Sequence, residues 1–95
     1  MKKYEDSNVI LHDILTVVFD LREEDCKSFR IVQDFEYGEE PLSFGDILQK
    51  CKDKGYVGGI ILVIAENPLN GDVYKYGNYN DDLWYQVGDL KGYAQ

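Results

Sequence analysis

Residues 71–94 read GDVYKYGNYNDDLWYQVGDLKGYA and hold five of the eight tyrosines, the only tryptophan and four of the nine glycines. Val73 to Tyr79 and Leu83 to Val87 each alternate in the two-residue period of a strand, joined around Asn80-Asp81-Asp82. Tyr74 and Tyr76 then share a face with Asn78 and Asn80, while Trp84 shares one with Gln86. Such a hairpin face either packs as cross-strand aromatic pairs or offers a shallow stacking surface for a flat ring or a sugar. In the second case Asn78, Asn80 and Gln86 would orient the ligand beside Tyr74, Tyr76 and Trp84.

Working back from this stretch, Asn67-Pro68-Leu69-Asn70-Gly71 is a turn, its Asn-Gly pair being a strong hairpin signal. Before it, Tyr56 to Glu66 (YVGGIILVIAE) is a continuous β-branched run, expected of a central strand covered on both faces or lying at a tight interface. Gly58-Gly59 at its start marks a bulge or a close backbone approach. Ser43 with Asp46 three residues on forms a variant capping box, and Phe44, Ile47, Leu48 and Cys51 recur at helical spacing. Lys50, Lys52 and Lys54 suit the negative end of that helix, and Gly55 its C′ position. Ser28 to Phe35 alternates like a half-buried strand.

Nearer the N-terminus, Asp6-Ser7-Asn8 precedes Ile10, Leu11, Ile14, Leu15, Val18 and Leu21, spaced by threes and fours. That spacing predicts a helix over 9–21; alternation fits less well, since it sets Asp13 among Leu11, Leu15 and Val17. The expected order is helix, strand, helix, strand, strand, strand. It implies one α+β domain over 1–95, a four-stranded, mostly antiparallel sheet with two helices packed on one face.

The chain has 95 residues and a net charge of −8. Residues 1–40 hold eleven acids against five bases, so the acidity is concentrated there. No run of Lys and Arg suits phosphate, which argues against direct nucleic-acid binding. Acids at Glu23, Glu24, Asp25, Glu39 and Glu40 form candidate contact points for a basic partner protein. No stretch is long and apolar enough for a signal peptide or a bilayer span, so a cytoplasmic protein is expected. Cys26 and Cys51 lie in no CxxC and read as reduced structural thiols.

No residues are spaced to bind a metal or a cofactor. His12 is the only histidine, and its neighbour Asp13 would point about 100° away from it on a helix. Solvated acidic runs lack the raised pKa that acid–base work requires. The expectation is therefore a non-enzymatic interaction module, with a small-ligand binder as its rival. An exposed strand edge would also allow a homodimer.

The string Gly71-Asp72-Val73-Tyr74-Lys75-Tyr76-Gly77-Asn78, followed by Trp84, Gly88 and Gly92-Tyr93-Ala94, resembles the C-terminal end of small uncharacterised proteins. Those proteins occur in phage and mobile-element regions of Firmicutes genomes. The resemblance covers about a quarter of the chain, and the tip Tyr79-Asn80-Asp81-Asp82 departs from their shorter turn. It implies a phage-type accessory or inhibitor protein and supplies no catalytic residues.

Overall fold

The computed structural model describes residues 2–20, 26–79 and 83–89. Its elements are β1 (Lys3–Glu5), β2 (Ile14–Phe19), β3 (Lys27–Val32), a single-turn 3-10 helix (Phe35–Tyr37), α1 (Phe44–Asp53), β4 (Ile60–Asn67), β5 (Asp72–Tyr79) and β6 (Leu83–Asp89). The strands form one six-stranded sheet in the order β1-β6-β5-β4-β2-β3, and every neighbouring pair is antiparallel. The expected four-stranded sheet under two helices is thus corrected to six strands and one α-helix among the described residues.

The correction lies in residues 9–21. Leu15, Val17 and Phe19 are buried, while Ile14, Thr16 and Val18 between them are half-buried, so the period is two. Four of the six residues of β2 (Ile14, Thr16, Val17, Val18) are β-branched, which favours the pleated conformation. Asp13, the residue that made alternation look wrong, stands before the strand, its backbone N–H donating to Asn67 Oδ1 at 2.9 Å. Leu21 lies outside the described residues.

Residues 8–12 instead run past the start of α1. Ile10 N–H donates to Leu42 O at 2.8 Å, and Phe44 N–H to Asn8 O at 3.0 Å. The buried Gln33 fastens this crossing: its Nε2 donates to Ile10 O (3.0 Å) and His12 O (2.9 Å), and its Oε1 accepts from Leu42 N–H (2.8 Å). The strand expected over 28–35 therefore ends at Val32, where Gln33 takes up this role and Phe35 enters the 3-10 turn.

The second expected helix is present. Ser43 Oγ accepts from Asp46 N–H at 3.1 Å and Asp46 Oδ2 accepts from Ser43 N–H at 3.0 Å, the reciprocal capping box. Gly55, at φ 103°, ends the helix in a conformation that favours glycine. The buried face of α1, carrying Phe44, Ile47 and Cys51, lies on the sheet. Beneath it the register aligns Leu15, Val17 and Phe19 with Ala65, Val63 and Ile61, and Val63 with Tyr76. Fully burying each of the larger apolar side chains contributes roughly 1.5–3 kcal/mol. None of the described helices is long and apolar enough to cross a membrane.

Candidate functional site

The aromatic hairpin face points into the core. Tyr76, Asn78 and Trp84 are 8%, 1% and 0% exposed, and Tyr74 and Gln86 are half-buried beside them. The Phe44 ring lies 4.9 Å from that of Trp84 and 5.2 Å from that of Tyr76, and Tyr4 on β1 closes the cluster 5.4 Å from Tyr76. Trp84 Nε1 donates to Asp6 Oδ1 at 2.8 Å, and Tyr4 Oη donates to Gln86 Oε1 at 3.4 Å. Burial pushes the Tyr76 phenol up to about 12. These side chains are spent on packing the first residues of the chain and α1 against the sheet, which leaves no face of the Trp84 ring open to a ligand.

The acidic candidates divide differently. Glu39 and Glu40 are exposed on the loop after the 3-10 turn, and Glu39 Oε2 accepts from Asp34 N–H at 3.0 Å, which ties the loop together. Glu23, Glu24, Asp25 and Asn80 lie outside the described residues.

His12 is the group nearest to a catalytic arrangement. Its ring packs edge-on to Tyr74, with centroids 5.1 Å apart. Burial lowers its pKa, opposed by the negative charges of Asp72 and Asp13. Its Nδ1 is buried with no hydrogen-bond partner. Among the described residues no group of three or more His, Cys, Asp or Glu side chains is placed to hold a metal.

The sequence reading missed the side of the sheet that α1 leaves open. Because Val17, Val63 and Tyr76 face the helix, the alternate positions face the other way. Those are Ile14, Thr16 and Val18 on β2, Leu62 and Ile64 on β4, Val73 and Lys75 on β5, and Leu83 and Tyr85 on β6. Val32, Ile60 and Tyr79 extend the surface and are 65%, 41% and 47% exposed. At one end Tyr79 folds over Gly77, where an added Cβ would stand 3.1 Å from its hydroxyl, and its ring lies 6.0 Å from Tyr85. The face also carries Lys3, Arg30 and Lys75 against Glu5 and Glu66, one net positive charge on a chain of −8. A signal for it was present: β4 was read as apolar on both sides, and α1 covers one.

No protein-family model, curated protein or solved structure matches the chain.

Proposed function

We propose that the chain is a non-enzymatic protein-interaction module that works as a homodimer, two copies packing their open sheet faces together. The observation that carries this reading is the apolar surface of Val18, Leu62, Ile64 and their neighbours, which no described element covers. Large contiguous apolar patches on soluble domains mark contact sites. The described residues present this surface as a sheet face, which suits a second sheet better than a small molecule.

Charge and area favour a second copy as the occupant. The face is nearly neutral on an acidic chain, so facing copies turn most of their negative charge outward. Lys75 and Glu66, toward the same end of neighbouring strands, give each copy one cation and one anion to exchange with its twin. Six strands about 4.8 Å apart and roughly 20 Å long present about 500 Å² per copy. Two copies reach the roughly 1,000 Å² that a specific interface requires. The acidic loop at Glu39 and Glu40 stays outside this contact, free for a basic partner of the kind an accessory or inhibitor protein would meet.

Size-exclusion chromatography with light scattering tests the proposal. The expected mass is twice that of the 11.0 kDa chain. Ile64→Lys should halve it while leaving the circular dichroism spectrum intact. A monomer at every concentration up to about 1 mM, far above a specific dimer's dissociation constant, would overturn the reading.

A further inference from the structure

The strand at the other limit of the sheet points to a second, separate surface. Among the described residues β3 pairs with β2 only and forms the sheet edge. Its six residues, KSFRIV, contain no proline, glycine or bulge, whereas the opposite edge strand, β1, has three residues. Gln33 N–H donates to Asp13 O at 2.7 Å, which fixes the phase of the ladder. By antiparallel alternation, Ile31 and Phe29 bond inward to β2, and the N–H and C=O groups of Ser28, Arg30 and Val32 point away from the sheet. An edge of this kind is a template for another strand.

A groove of about 420 Å³ runs beside this edge, lined by Phe29, Arg30, Ile31, Lys50, Asp53 and Lys54. Lys54 Nζ lies 5.0 Å from the Phe29 ring, and Lys27 Nζ lies 5.9 Å from the Phe19 ring. Asp53 is the one carboxylate of the groove, and it already accepts from Gln49 Nε2 at 3.1 Å. Lys27, Arg30, Lys50 and Lys54 are all exposed. In sequence Lys27 stands some twenty residues from Lys50 and Lys54, so no basic run is visible; the fold gathers the three on the α1 side of the β3 edge, with Arg30 on the other side.

We infer that the β3 edge binds an extended acidic segment of a partner protein as an added strand. The partner's backbone would pair with Ser28, Arg30 and Val32, and its acidic side chains would project on the α1 side, their stems over Phe29 and Ile31 and their carboxylates toward Lys50 and Lys54. A second copy fits this edge poorly, because self-pairing brings Lys27, Arg30, Lys50 and Lys54 of both copies to one seam. The α1 side of this edge is distinct from the open face, which carries the Arg30 and Val32 side chains, so the two proposals fail separately.

Fluorescence anisotropy with a labelled peptide of alternating Glu and Val tests the assignment. The peptide is expected to bind, more weakly as salt rises. Lys50→Glu with Lys54→Glu, at exposed positions in α1 and at its C-cap, should weaken binding about tenfold or more. The same peptide N-methylated at alternate residues should not bind, a control that leaves the protein unaltered. Amide shifts of Ser28, Arg30 and Val32 should report the contact. The inference is overturned by no binding, by equal binding of the N-methylated peptide, or by equal binding of a Lys and Val peptide or an oligothymidylate. Loss of dimerisation in Ile64→Lys should leave the peptide affinity unchanged.

Discussion

Replacing Gln33 with Ala should be among the most damaging single changes at a polar position. The side chain is 3% exposed and makes three hydrogen bonds, to Ile10 O, His12 O and Leu42 N–H. Each is worth about 1 kcal/mol net, and more where the abandoned backbone group stays out of reach of water. The direct loss is therefore roughly 3 kcal/mol. Residues 8–12 are held to the end of β3 chiefly through this side chain, and loosening them exposes Ile10, now 2% exposed, at a further cost of up to about 2 kcal/mol. Gln33→Met keeps the volume and removes the hydrogen bonds, so it should lose nearly as much as Ala. Urea unfolding followed by Trp84 fluorescence measures both variants, with the protein kept dilute enough that dimerisation does not enter. A loss under about 1 kcal/mol for both variants, at unchanged denaturant slope, would refute the reasoning.

Three further outcomes follow from single sites. Burial holds the His12 imidazole below its ordinary value of 6.5, so the unfolded chain takes up the proton first as pH falls. Stability should be full above about pH 6.5 and decline as pH drops toward the folded-state value, and urea midpoints of His12→Asn should lack this part of the decline. Parallel midpoint curves for the two proteins would remove the assignment. Cys51 is buried, with its thiol pushed up to about 11, while Cys26 is exposed. A thiol reagent should label Cys26 at once and Cys51 only at the rate of opening, and two equally fast thiols in the folded protein would contradict the packing of α1. Ser43→Ala removes half of the capping box and should cost about 1 kcal/mol in thermal or urea unfolding, while Ser7→Ala, at an exposed position outside any helix, should cost close to nothing.

The C-terminal half of the fold was legible because its local chemistry is explicit. Ser43 with Asp46 sets one end of α1, Gly55 the other, and Asn70-Gly71 turns β4 into β5. The N-terminal half depends on partners distant in sequence. β1 exists only because Lys3 to Glu5 pair with Leu83 to Tyr85, and nothing in a three-residue stretch announces that. Tyr74, Tyr76 and Asn78 share a face with Trp84 and Gln86, but sequence could not say which side α1 would take. That choice sends Tyr76, Asn78 and Trp84 inside and leaves Lys75, Gly77 and Tyr85 on the open side. The cationic seam was invisible for a similar reason, since β3 comes beside Lys50 and Lys54 only through packing of α1 near that strand.

The mistaken helix over 9–21 and the open apolar face have one cause. A strand with one wet side carries polar residues at its outward positions, and alternation is then plain. In β2 those positions are Ile14, Thr16 and Val18, two of them as apolar as the inward Leu15 and Val17. With both sides apolar, spacings of three and four are satisfied by default, and Ile14, Leu15 and Val18 mimic a helical stripe. Leu62 and Ile64 do the same on β4, which hides its period behind a continuous apolar run. A pair of neighbouring strands apolar on both sides requires cover on both sides, and α1 supplies it on one. This reasoning predicts that Val18→Thr, Leu62→Thr and Ile64→Thr together should separate the two roles. Threonine is β-branched and favours strand at all three positions, so the monomer should lose little stability. The dimer loses about 0.5 kcal/mol at each of its six replaced contacts, about 3 kcal/mol together, which raises its dissociation constant by about a hundredfold. Sedimentation across a dilution series measures that shift. A triple variant that dimerises like the parent, or one that unfolds as a monomer, would show that these side chains serve the single chain and not a contact between two.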